Sequence, residues 1–371
     1  MEEVVEFRAT VHIFGATSSP GSATFGLRSL AADSCDPENQ FDMQAKDFIM
    51  NDFYVDDGLL SVDTAEQAVE VVNSVVTMCA KGNVRLHKFV SNDKSVLSAI
   101  PESEHAESLS DLDLSSVLPV ERALGVQWCI ESDQFQFRVT LSNQPVTRRG
   151  VLSTIASVFD PLGFLSPYIL LGKQILQDMC RENAGWDKPL SDQVMPKWLA
   201  WRDGLTGLGS IKVERCLTPQ NFGTIVSTEL HHFSDASTSG YGQCSYIRIV
   251  NTEGRVHCAL LAGKSRVAPI KAVTVPRLEL QAAVLSAKMA QIVQTELKLT
   301  EISRVVFWVD SQVVLGYIRN QARRFNVYVA NRVQQIKDLV GSDEWYYVNT
   351  ANNPADIASR GLSVEKLIES S

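Results

Sequence analysis

The chain has 371 residues, 45% of them hydrophobic and 21% charged, with a formal net charge of −9. That length supports two or three cores of ordinary domain size, and the negative balance excludes a protein that coats nucleic acid indiscriminately, because phosphate binding is carried by Lys and Arg. Seven scattered cysteines never fall in a C-x-x-C spacing, which argues against a disulfide framework or thiolate zinc site and for reduced, intracellular thiols; the acidic start MEEVVEFRAT and an apolar window at 150–172 broken by Asp160, Pro161 and Pro167 argue against a signal peptide or membrane span.

The first informative stretch is FYVDDGLLS at 53–61, where Asp56 and Asp57 follow an aromatic-aliphatic run and precede a glycine. Asp-Gly is a strong signal for a hairpin tip, while a carboxylate doublet in such a turn also suits a metal-binding polymerase loop; the residues alone leave both readings open. Thr64 and Gln67 then form a capping box, and Ala68, Val71, Val75 and Met78 make one helical stripe ending at Gly82, a helix of about five turns. NVRLHKFVSN and LGVQWCIESDQFQFRVTL read as strands, the second a hairpin turning at 131–134, with an acidic, serine-rich linker at 95–116 between them. The segment 147–208 is helical, interrupted by DPLGFLSP, and its Trp186, Trp198 and Trp201 are packing residues; 209–230 reads as a weakly patterned connection.

The last third changes character. HHFSDAS, YGQCSYIRIV and RVHCALLAG are strand-like runs punctuated by SGYG and NTEG, as in an antiparallel meander. A helix starts at VPRLEL with Leu278, Ala282, Leu285, Met289 and Ile292 on one face, and RVVFWVD reads as a strand buried on both faces. Helical segments from Ser311, a strand EWYYVNT and a closing helix after NNPAD complete an order β-β-β-α-β-α-β-α, hence a mixed sheet covered by helices in an α/β fold.

In that layout Asp235 ends one strand, Asp310 ends another, Glu279 sits one turn into a helix, and Asp356 opens the closing helix. Reactive groups in sheets with helical crossovers gather at the carboxyl ends of strands, so these four acids are expected to converge into an all-oxygen nest suited to Mg²⁺. Each acid alone reads as a cap or surface residue, Asp356 in its Asn-Pro-Ala-Asp turn most of all; the set of four does not. Metal pairs in such nests support phosphodiester hydrolysis. His231 and His232 are adjacent on a strand, face opposite ways and are structural. The run 311–337 holds Arg319, Arg323, Arg324, Arg332 and Lys337 with no acid, a candidate phosphate-backbone contact or a solvated helix face.

SDAS, RLELQAA, WVDSQ and NPADIASRG, in order and with acids 44, 31 and 46 residues apart, resemble the ribonuclease H domain of retrotransposon polyproteins. VHIFGATSSPGSATFGL, FYVDDGLLS and GNVRLHKFVSN resemble part of a reverse-transcriptase palm, and VTRRGVLSTIASVFDPLGFLSP the region that follows the polymerase in BEL/Pao-type elements, a stretch also known as a Pao "peptidase A17" region. The resemblance covers nearly the whole chain. It implies a partial palm with Tyr54, Asp56 and Asp57 as its Tyr-x-Asp-Asp turn (1–95), a strand hairpin and helical thumb or connection (96–216), a ribonuclease H-like domain with a five-stranded mixed sheet (217–362) and a tail (363–371). It further implies Asp235, Glu279, Asp310 and Asp356 as the catalytic set for two Mg²⁺ or Mn²⁺ ions, an RNA/DNA hybrid as substrate, and the remaining polymerase portion as a partner. Related enzymes often carry a histidine just before the fourth acid; the six histidines here lie elsewhere. The palm's partner aspartate would precede GATSSP, so this chain alone is expected not to polymerise. A non-catalytic retroelement remnant is the alternative. An aspartic peptidase is disfavoured by the lack of any Asp-Thr-Gly or Asp-Ser-Gly triplet, and an integrase by the aspartate, rather than glutamate, at the last position.

Overall fold

The computed structural model describes residues 15–106, 120–123, 126–139, 144–297, 301–321 and 324–370. The chain divides into two compact units, the first ending at Gln134 and the second running Phe135–Ser371.

In the first unit, helices α1 (Ser19–Ser34), α2 (Gln40–Asn51) and α3 (Ala65–Lys81) enclose a small core of Ala31, Ala45, Ile49, Val71, Val75, Met78 and Cys79. The expected cap holds, since Thr64 accepts the Gln67 N–H at 3.1 Å, and the stripe from Val71 to Met78 is buried. FYVDDG forms a minimal hairpin, β1 (Phe53–Tyr54) against β2 (Asp57–Gly58), with Phe53 opposite Gly58 and Tyr54 opposite Asp57. Its central pair is therefore Val55 and Asp56, not Asp-Gly. Val55 has φ +59, a conformation that a β-branched residue adopts only under strain.

NVRLHKFVSN is not a strand. Among the described residues its alternation finds no neighbouring chain to pair with beyond a single bridge, Phe89 to His105, and a strand without a partner leaves its N–H and C=O groups unmatched. The start of the stretch read as a linker is the short helix α4 (Lys94–Ser98); residues 107–119 lie outside the described part. Strands β3 (Val120–Ala123) and β4 (Val126–Cys129) pair antiparallel, and β5 (Gln134–Gln136) follows after the expected turn.

The second unit opens with α5 (Arg148–Ala156), α6 (Ser166–Arg181) and α7 (Met195–Gly204), whose core includes Val151, Leu165, Tyr168, Trp198 and Trp201. Tyr168 and Trp201 stack at 5.3 Å, and the absence of a side chain at Gly172 admits the Trp201 ring. Trp186 differs: it is 45% exposed and lies under the Arg148 guanidinium at 4.3 Å. After β6 (Lys212–Glu214), the segment read as a connection already contains the start of a long strand, β7 (Ile225–Ala236).

Strands β7, β8 (Gly240–Asn251) and β9 (Val256–Val267) form the expected meander, while β10 (Arg304–Val309) and β11 (Trp345–Tyr347) run parallel to β7. The sheet order is β11-β10-β7-β8-β9. One face is covered by α8 (Val275–Glu296), α9 (Gln312–Arg319) and α10 (Val327–Leu339), around Phe307, Val309, Ile318, Ile336 and Trp345. The α8 stripe is as read through Leu285, but Ile292 is 55% exposed and Val293 takes the buried place, because the apolar face drifts slowly around a 3.6-residue helix. On the other face lies α11 (Ala355–Arg360). The closing residues form α12 (Val364–Ser370), whose Val364 and Leu367 join the helical core of the same unit.

Candidate active site

The parallel register of β7 and β10 is the first determinant of the site. Val309 is opposite Ser234, so Asp310, the residue after β10, comes level with Asp235. Asp235 is the penultimate residue of β7 and Asp310 directly follows β10, so both acids lie at the carboxyl-terminal end of the sheet, where reactive side chains gather. Glu279, in the second turn of α8, joins them through Ser311: its hydroxyl donates to Glu279 Oε2 at 2.5 Å while its oxygen caps α9 by accepting the Val314 N–H.

Asp356 arrives from the opposite face on α11, and small residues make that approach possible. A side chain at Gly242, which is paired with Asp235, would collide with the backbone and side chain of Ala358; one at Gly240 would meet the Ser359 carbonyl. SGYG is therefore a docking groove for α11, not only a turn. Asn353 fixes the start of α11, donating from Nδ2 to the Ser234 carbonyl at 3.1 Å and accepting the Ala355 N–H at 3.1 Å. The Ser359 hydroxyl donates to Asp235, and the Ser237 hydroxyl donates to the Ser359 carbonyl at 2.9 Å. Arg360 pairs with Asp356 at 2.7 Å.

The electrostatics link Asp235 with Asp310 and Asp356, and Glu279 with Asp310 and Asp235. Burial raises the Asp235 carboxyl above its ordinary pKa; the Ser359 hydroxyl opposes this, and the charges of Asp310 and Asp356 reinforce it. Glu279 is raised in the same way by burial, against the Ser311 bond and with repulsion from Asp310 and Asp235. Arg360 is held further toward its charged form by its bond to Asp356 and by the charges of Asp356, Asp235 and Asp310. Asp235 is 5% exposed, so its charge is poorly solvated.

A hard divalent cation suits this donor set, since it prefers carboxylate oxygen and would relieve both burial and mutual repulsion. Asp235, Glu279, Asp310 and Asp356 are the residues that would hold it. As they stand, no three His, Cys, Asp or Glu side chains among the described residues are close enough together to grip a metal ion.

The two histidines do face opposite ways. His231 accepts from Trp308 Nε1 at 3.0 Å and lies beside Glu229. His232 is fully buried, stacks on Phe307 and bonds through Nδ1 to Ser245 Oγ at 2.7 Å; burial pushes its pKa down to about 3. Since the Ser245 hydroxyl donates to Gln243, His232 carries its proton on Nδ1, and Nε2 has no partner among the described residues.

Of the basic run, Arg319 donates to the Trp345 carbonyl at 2.6 Å, Arg332 lies over the Tyr328 ring at 3.5 Å, and Arg324 is exposed. Arg323 lies outside the described residues. Tyr54, Asp56 and Asp57 are exposed on the hairpin of the first unit. The supporting residues Ser311, Asn353, Ser359 and Arg360 were not singled out from sequence, although each lies in or beside WVDSQ or NPADIASRG.

Residues 147–311 match the model of the Pao retrotransposon-like RNaseH-like domain. That match spans less than half of the chain. This Pao-type match begins at the cap of α5, so it takes in the helical segment as well as Asp235, Glu279 and Asp310, and it stops 45 residues before Asp356. No curated protein sequence matches the chain. Among solved structures it is similar to the N-terminal RNase H domain of Rv2228c from Mycobacterium tuberculosis, solved as a fusion with maltose-binding protein (14% identity, 39% of this chain and 96% of that one, TM-score 0.25). It is also similar to LC11-RNase H1 in complex with an RNA/DNA hybrid (12%, 38% and 98%, TM-score 0.26) and to the foamy viral protease-reverse transcriptase in complex with dsDNA (14%, 92% of this chain and 61% of that one, TM-score 0.21).

Proposed function

We propose that the Pao-type domain is a ribonuclease H-type endonuclease that hydrolyses the RNA strand of RNA/DNA hybrids, using Mg²⁺ or Mn²⁺ held by Asp235, Glu279, Asp310 and Asp356. One observation supports this reading above others: the parallel register of β7 and β10 sets Asp235 and Asp310 side by side at the strand ends, with Glu279 tied to Ser311 beside Asp310 and α11, which carries Asp356, tied to Asp235 through Ser359. Divalent cations at such a nest lower the pKa of attacking water and offset charge on the leaving oxygen. The chain's own groups prepare the nest. Ser359 and Ser311 orient one oxygen each of Asp235 and Glu279, the Ala236 backbone also bonds Asp235, and Arg360 steadies Asp356.

The hairpin of Tyr54, Asp56 and Asp57 is the turn of a palm that does not copy a template in this chain alone, because nucleotidyl transfer requires carboxylates from more than one strand. Nucleotide incorporation on a primed template by the purified chain would refute this.

A second reading, a non-catalytic retroelement remnant that binds nucleic acid or protein, is favoured by the spacing of the four carboxylates, which as placed form no closed cation grip. Incubation of the full chain with a labelled RNA/DNA hybrid and Mg²⁺ separates the two. The nuclease reading predicts RNA cleavage that Asp310→Asn lowers on the order of 100-fold or more; equal cleavage by both proteins, or by neither, overturns it.

A further inference from the structure

The face of α8 turned away from Glu279 borders a second feature. At about 100° per residue, Gln281 and Lys288 lie roughly 200° and 180° around the helix from Glu279, and both line a cleft of about 130 Å³ with Tyr241, Arg266, Arg332 and Gln335. Val284 and Leu285 supply its apolar wall. No carboxylate lines it.

Three cations converge there in a chain of net charge −9. Elsewhere Arg85, Arg149, Arg181, Lys197, Arg248, Arg255 and Arg360 each pair with an acid; Arg266, Lys288 and Arg332 have no carboxylate partner among the described residues. Arg332 is already fixed in place, stacked over Tyr328 and donating from Nη1 to the Tyr328 carbonyl at 3.1 Å, while its Nε is buried without a partner. Tyr241 is 9% exposed, and its hydroxyl has no hydrogen-bond partner among the described residues. The positive field continues along the β9 edge. Lys264 and Arg266 share one face of the strand, and their charges add to burial in lowering the pKa of Lys173.

We infer that this cleft is a phosphate-binding site. Two guanidinium groups, an ammonium, two side-chain amides, of which Gln281 also donates to the Tyr328 hydroxyl at 2.9 Å, and a phenol offer more donors than the two oxygens of a carboxylate can use, and match a tetrahedral phosphate. In the proposed function the group is a backbone phosphate of the bound nucleic acid, contacted on the far side of α8 from the acids. The inference rests on that reading only for the source of the phosphate.

The test uses the full chain without divalent cation, so that failure of cleavage and failure of this site remain distinguishable. Fluorescent RNA/DNA hybrid is titrated at several salt concentrations into the unsubstituted chain and into a double variant, Arg266→Gln with Lys288→Gln; both residues are exposed, and melting curves check the fold. Protection of the Lys288 amine from acylation is measured in the unsubstituted chain with hybrid and, separately, with inorganic phosphate. Hybrid affinity about tenfold weaker in the variant, a salt slope shallower by about one per lost contact and protection by hybrid are the results expected for a backbone contact. Protection by inorganic phosphate, with hybrid affinity unchanged, keeps the site and assigns it to free phosphate. Unchanged affinity with no protection by either probe overturns the inference.

Discussion

The molecule holds two acidic constellations, and they are built on opposite principles. Asp56 and Asp57 are neighbours in sequence, exposed, and carried by a hairpin whose strands are two residues long each. Asp235, Glu279, Asp310 and Asp356 are dispersed along the chain, partly or wholly buried, and assembled by a five-stranded sheet with helices on both faces. Adjacency in sequence gives the doublet two carboxylates on one turn, with no third metal-ligating side chain beside them among the described residues. Topology gives the quartet acids arriving from several directions, which is what enclosing a cation requires. The quartet also depends on its scaffold: glycines that admit α11, serines that orient two carboxylates, and an asparagine that pins the loop before Asp356.

That dependence can be tested against the local character of the doublet. The largest expected effect comes from His232, in the buried layer beneath α8. Its folded-state pKa, about 3, lies below the ordinary value of 6.5. The unfolded chain therefore takes up a proton that the folded chain refuses, and stability present above pH 6.5 is lost as pH falls toward 3, by about 4 to 5 kcal/mol in total. Urea unfolding at pH 7 and pH 4, followed by tryptophan fluorescence, should show a steeper acid loss in the natural chain than in His232→Gln; parallel losses would remove His232 as the cause.

A smaller effect is expected from wedging the docking groove. Gly242→Val places methyl groups where Ala358 sits and should cost about 2 to 4 kcal/mol in the same assay while displacing Asp356. An unchanged midpoint would show that α11 does not need the groove. The smallest effect belongs to the hairpin. Val55→Gly relieves the positive φ but loosens the unfolded chain, so the first unit should gain no more than about 1 kcal/mol. A clear loss instead would mean that the Val55 side chain contributes packing that outweighs the strain.

Much of this organisation was legible in the sequence, and the failures share a physical cause. The strand order of the last third could be read because each run was bounded by turn residues, and the acids stood where strands end. Asn83 to Asn92 misled because alternation records a side-chain preference, whereas a strand exists only when a distant segment pairs with it. Gly240 and Gly242 read as turn residues because their other use, the close approach of a helix more than 100 residues later, is a tertiary fact. The Asp-Gly pair drew attention from the true tip, Val55 and Asp56, since a strained valine carries no turn signature. Ser311 was legible in principle: it directly follows the strand-end acid and precedes an apolar run, the position of a helix cap.

The central claim is that the dispersed acids, and not the adjacent pair, form the cation site. Calorimetric titration of Mn²⁺ into the full chain, the Asp310→Asn variant and the Asp56→Asn, Asp57→Asn double variant tests it most directly. The account predicts that the double variant binds as the natural chain does, whereas Asp310→Asn loses at least about tenfold in affinity, a difference near 1.4 kcal/mol. Equal binding by Asp310→Asn and the natural chain, or a loss confined to the doublet, would contradict it.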